Sequence, residues 1–103
     1  MKEINMKKTM IIALMLVFTS FQASAVELKE GSVYCVSSKK IIAYYGFLEK
    51  GRDNFAKKLM DRSDCYVKVK SEEAILQSEQ KKYVELELIS GFTIWTKKEN
   101  IIR

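Results

Sequence analysis

The sequence predicts an α+β fold: a small, partly open β-barrel of about five strands, with a two-helix insertion after the first strand. Three observations carry this reading. Between Lys39 and Met60 the apolar residues recur with a period near 3.6, and after Asp61-Arg62-Ser63-Asp64 the period drops to 2. The strand-like stretches are also short and apolar on one face, and a sheet that small must curl to hide that face.

Ser32 to Val36 reads as the first strand, opened by Gly31 and stopped by Ser37-Ser38. Either serine can accept a backbone N–H as the N-cap of a helix over Lys39 to Glu49, where Ile41, Tyr44, Tyr45 and Leu48 fall at i, i+3, i+4 and i+7. Gly51 supplies the stop. Asp53 is the expected N-cap of a second short helix whose Phe55, Ala56, Leu59 and Met60 share a face, with Lys57-Lys58 on the other side. Beyond the boundary, Cys65, Val67 and Val69 alternate with Tyr66, Lys68 and Lys70. Ala74 to Gln77 is a brief apolar stretch. Lys82 to Ile89 sets Val84, Leu86 and Leu88 inward against Tyr83, Glu85 and Glu87. Ser90-Gly91 turns the chain into a last strand, Phe92 to Lys97, with Phe92, Ile94 and Thr96 on one side and Thr93 and Trp95 on the other. A short turn over Glu99 to Ile101 closes it.

The first 25 residues read as an export signal. Lys2, Lys7 and Lys8 precede the unbroken apolar run Met10 to Phe18, and Ala23-Ser24-Ala25 places small side chains for cleavage between Ala25 and Val26; Met6 is an equally conventional start. Nine apolar residues span only about 14 Å of helix, roughly half a hydrocarbon core, so no stable membrane span is expected after cleavage. The mature chain, residues 26–103, then belongs in the periplasm or outside the cell. It holds 15 basic and 12 acidic residues, a net of +3 against +5 for the whole sequence. The lysine doublets are spread out, so no nucleic-acid partner is expected.

Cys35 and Cys65 are the only cysteines. An oxidising compartment pairs thiols, two cysteines allow one intramolecular connectivity, and the bond would tie the first strand, or its exit, to the strand after the helices. Such a staple matters in a domain of 78 residues, which buries only about 60 to 65% of its unfolded surface.

The segment from Cys65 to Ile101 resembles the bacterial SH3-like exported domains. The likeness lies in a Cys opening a strand, a paired strand Tyr83-Val84-Glu85-Leu86, a glycine turn, and the aromatic-rich Gly91-Phe92-Thr93-Ile94-Trp95-Thr96 closing on Asn100-Ile101. It covers about a third of the chain. The Gly-Trp-Val closing motif of that family appears here as Ile94-Trp95-Thr96, and the helical insertion departs from its simplest members, pointing to an uncharacterised subgroup. The resemblance implies a small SH3-like β-barrel that binds envelope proteins, peptides or glycans and is rarely catalytic.

The absence of His removes the commonest general base and metal ligand, and no Gly-rich phosphate cradle or calcium-loop spacing occurs, so neither an enzyme nor a metal or other cofactor is expected. Tyr66, Tyr83, Phe92 and Trp95 are the candidate ligand-binding residues, since aromatic rings give large rigid contact area; core filling is the competing role, favoured for Trp95. Glu85 and Glu87 lie on one strand face, where Lys68, Lys70, Lys82 and Lys97 are expected to pair with them. The expected function is a non-catalytic periplasmic binding module for an envelope protein or a peptidoglycan-type ligand. The alternative is a periplasmic inhibitor or immunity-type protein that blocks an envelope enzyme such as a lysozyme. Ser90-Gly91 and Trp95-Thr96-Lys97-Lys98 are similar to features of periplasmic lysozyme inhibitors, in a different order and spacing.

Overall fold

A computed structural model describes residues 24–103; the body of the expected export signal, residues 1–23, lies outside the described residues. The chain runs β1 (Ala25–Leu28), β2 (Val33–Cys35), α1 (Ser38–Glu49), α2 (Asp53–Asp61), β3 (Cys65–Val67), β4 (Glu72–Glu79), β5 (Tyr83–Leu88), β6 (Thr93–Lys97), a 3-10 turn (Lys98–Asn100) and β7 (Ile101–Ile102). The fold is α+β, with two helices and one antiparallel sheet in the order β3-β2-β6-β5-β4-β1-β7. Seven strands replace the five expected, and the sheet does not close into a barrel.

The sheet curls because of how β1 and β2 are joined. They lie four strand intervals apart, about 19 Å if the sheet were flat. The link is a tight turn in which the Ser32 N–H donates to the Lys29 carbonyl at 3.2 Å, with Gly31 at φ 82°. Such a turn brings its ends within about 7 Å. The strands between must therefore bend around the apolar face. That concave face buries Val26, Leu28, Ala74, Val84, Leu86, Leu88, Ile94 and Ile101, with Tyr34 and Leu76 packed against them. Leu28, Val84 and Leu86 are fully buried, and truncating either leucine to Ala costs about 2 to 5 kcal/mol.

The helices cover the convex face at the β3-β2-β6 end. Cys35 and Cys65 face each other across β2 and β3, their Cα atoms 3.9 Å apart, and form the expected disulfide. Ile41 of α1 and Leu59 of α2 bury themselves on it, with Tyr44, Tyr45, Met60, Tyr83 and Trp95 around them. Ser37 is the cap of α1; its Oγ accepts from the Lys40 N–H at 3.2 Å. Gly51 follows at φ 70° and its N–H returns to the Leu48 carbonyl. Asp53 is not a cap. It is the first residue of α2, after Arg52, where its carboxylate faces the positive end of the helix dipole.

Other expectations are corrected at the sheet margins. β3 is an edge strand of three residues, and the helices cover only its Cys65 end, so Val67 and Val69 are exposed rather than core. Phe92, expected to open the last strand on the side of Ile94 and Thr96, precedes β6, which begins at Thr93. It belongs to the β5–β6 turn, where the Leu88 N–H donates to its carbonyl at 2.8 Å, and its ring is 70% exposed.

Candidate functional site

The four candidate aromatic residues do not form one patch. Tyr83 and Trp95 lie together on the convex face beneath α1, partly buried around the disulfide; Trp95 stands opposite Cys35 on one side and Glu85 on the other. The Tyr83 ring centroid is 6.4 Å from that of Tyr45, whose face carries the Lys97 ammonium at 4.2 Å. Burial pushes the Tyr83 phenol, and that of Tyr44, above the ordinary tyrosine value. Tyr66 sits apart on β3, stacked on Tyr34 at 5.6 Å and half exposed. Phe92 projects from the β5–β6 turn.

Glu85 and Glu87 do not make the expected cross-strand ion pairs. Their register partners are Ser78 and Trp95, and Ile75 and Thr93, so no lysine stands directly across from either. The Glu85 carboxylate accepts from Ser78 Oγ at 3.1 Å, while Lys68 is ion-paired with Glu72 and Lys97 with Glu99.

A concavity lies on the convex face of β1, β4 and β5, away from the helices. It is an open groove of about 740 Å³, lined among others by Glu27, Glu73, Ile75, Glu87, Ile89 and Ile102. The strand period builds it: Glu27 stands directly opposite Glu73, and Ile75 opposite Glu87. Like charges placed so repel each other. Among the described residues no Lys or Arg is ion-paired with Glu27, Glu73 or Glu87; Arg103, which also lines the groove, is ion-paired with Glu79. Between the carboxylates, Ile75, Ile89 and Ile102 are 42%, 75% and 49% exposed.

One end of the groove is held rigid. Glu72 Oε2 accepts both the Ser90 N–H at 3.1 Å and the Ser90 hydroxyl at 2.8 Å, and Lys68 donates to the other carboxylate oxygen. The Lys68 bond, assisted by those from Ser90, holds the Glu72 carboxyl below its ordinary value. The turn is thereby pinned to β4, with Ile89 and Phe92 projecting from it.

Sequence reasoning missed Glu27 and Ile102 because it assigned neither β1 nor β7, and Glu73 and Ile75 because it gave β4 only the brief stretch Ala74 to Gln77. The alternation Val26-Glu27-Leu28 is the signal that marks β1. Chemically the groove offers fixed negative charge and aliphatic contact, the means of gripping a partner. Among the described residues no group of acids and cysteines is placed to hold a metal, and no helix is long and apolar enough to cross a membrane. No protein-family model, curated protein or solved structure matches the chain.

Proposed function

We propose that the chain is exported, loses residues 1–25, and acts as a non-catalytic binding module of SH3-like type that grips an envelope protein or peptide on the convex face of β1, β4 and β5. The observation that carries this is the groove itself, which combines carboxylates without an ion-pair partner and exposed isoleucines on a sheet face that no other described residue covers. A face crowded with like charge lowers stability, a cost that a partner of opposite charge would offset. The groove is aliphatic and acidic, which favours a protein over a glycan, whose rings stack on aromatic side chains. The SH3-like reading is supported by the β4-β5-β6 meander, the 3-10 turn after it and the return of β7 to β1. Export is supported by the disulfide. Cleavage after Ala25 leaves Val26, Glu27 and Leu28 with their β4 partners.

A photo-reactive residue at Ile75, compared with one at Lys57 on the helices, tests the reading in cells that export the protein. The expected result is one discrete adduct from position 75 that is lost in Glu27→Lys/Glu73→Lys. No adduct from position 75, or the same adduct from both positions, contradicts it. The inhibitor reading has its own support in the pinned turn, which presents Ile89 and Phe92 without ordering cost. It is the better one if the adduct is an envelope hydrolase whose turnover falls when the mature protein is added.

A further inference from the structure

The positive charge of the mature chain is concentrated in the helical insert. Residues 38–62 hold seven Lys and Arg against three Asp and Glu, a net of +4, while the rest of residues 26–103 holds eight against nine. Between α1 and α2 lies a cleft of about 430 Å³ with an apolar bed of Ala43, Phe47, Phe55 and Leu59. Phe55 packs on Phe47 at 5.4 Å between centroids yet stays 46% exposed, because the first turn of α2 overhangs α1 rather than the sheet. Lys39, Lys58 and Arg62 line the cleft; Lys40, also there, is paired with Asp64 at 3.4 Å. The Lys58 ammonium is 5.2 Å and the Arg52 guanidinium 6.0 Å from the Phe55 ring centroid. Cations and exposed aromatic carbon are thus interleaved at one spot.

This surface is separate from the groove on β1, β4 and β5, and its chemistry is the opposite. An apolar bed ringed by ammonium and guanidinium groups complements an amphiphile with an anionic head. A soluble anion would leave the phenyl rings in water, and an apolar ligand would leave the cations crowded. We propose that the cleft between α1 and α2 docks the protein on a membrane containing anionic phospholipid, with lipid phosphates at Lys39, Lys58 and Arg62 and acyl carbon against Phe55 and Phe47. Juxtamembrane basic residues are attracted to such surfaces within a Debye length, and an aromatic side chain at the headgroup level adds apolar burial.

The test is flotation of oxidised residues 26–103 with vesicles of phosphatidylcholine alone or mixed with phosphatidylglycerol. Co-flotation only with the anionic vesicles, weakened by salt, is expected. Lys58→Glu/Arg62→Glu should lower partitioning at least about tenfold, and Phe55→Ser severalfold at unchanged salt dependence. Lys81→Glu/Lys82→Glu, the same charge change on the β4–β5 connection, and Glu27→Lys/Glu73→Lys should both still float. Absence of flotation overturns the proposal, as does equal loss in the Lys81/Lys82 variant, which would make the attraction a matter of net charge. Full displacement by millimolar inorganic phosphate at constant ionic strength would assign the cleft to the free anion and likewise overturn it. These outcomes leave the Ile75 adduct untouched, so the two readings fail independently.

Discussion

Single side chains decide how the curled sheet is locked. Thr96 is fully buried on the concave face; its hydroxyl donates to the Val33 carbonyl at 2.8 Å and accepts from Asn100 Nδ2 at 2.9 Å. Asn100 Nδ2 also reaches the Tyr45 hydroxyl at 3.3 Å, so one chain of contacts links β2, β6, the 3-10 turn and α1. Glu72 plays the corresponding part at the groove. Its carboxyl is depressed in the folded state, so it contributes stability that is present above the ordinary glutamate value and lost as pH falls through the depressed one. Glu72→Gln should therefore lower the melting temperature at neutral pH, with the gap to the wild type closing on acidification. The Ser90 amide should exchange faster in the variant at neutral pH, and equal exchange would show that the turn is held by something else. That Thr96 shares a strand face with Ile94 was legible from alternation; which face turns inward was not, because Trp95 on the other face was the residue favoured for core filling. The partner of Thr96, Asn100, was not legible either, because that contact depends on the path of the chain after the strand ends.

At the level of elements, long periodic segments were legible, and short ones only where a glycine, serines or a cysteine marked them, as at β2 and β3. The helix over residues 38–49 and the strand Tyr83–Leu88 each offer enough turns or alternations to expose a face. β7 has two residues, too few for a period to show, and β1 has four, whose brief alternation Val26-Glu27-Leu28 went unread beside the export signal, yet together they flank and extend the groove. β4 hid its length for another reason: its register shifts between Leu76 and Ser78, and its ends are glutamates. The surface carrying the functional reading was therefore the least visible in the sequence. The β1–β4 pairing bears directly on that reading. Glu73→Lys turns the opposed Glu27 and Glu73 into an attractive pair and should stabilise the fold by roughly 0.5 to 1 kcal/mol. That amounts to a few degrees in the melting temperature. Unchanged or lower stability would show that the two carboxylates do not repel, and would remove the argument that this face is kept for binding.

At the scale of the molecule, two cores share one sheet. The concave face closes on aliphatic side chains, while among the described residues the convex face is covered by helices where the disulfide sits and uncovered along β1, β4 and β5. The charge is split the same way, positive over the helices and negative along the open face. The two-helix insertion and its sulfur bridge were legible because cysteines have few choices; the curl was legible only as a necessity of size, since its cause, the turn at Lys29–Ser32, joins β2 to β1, a strand the sequence reading did not assign. The disulfide spans 30 residues, and losing it should cost roughly 3 to 4 kcal/mol in a chain-entropy treatment. For a domain of this size that lowers the melting temperature by about 15 to 25 °C in Cys35→Ser.

Export and the bridge are the foundation for everything assigned to this surface, and one measurement reads both: the intact mass, without reductant, of the protein recovered from the envelope fraction of cells expressing the full chain. The expected mass lacks residues 1–25 and two further hydrogens, for the bond between Cys35 and Cys65. A full-length mass, or a shortened one that keeps both thiol hydrogens, contradicts the account.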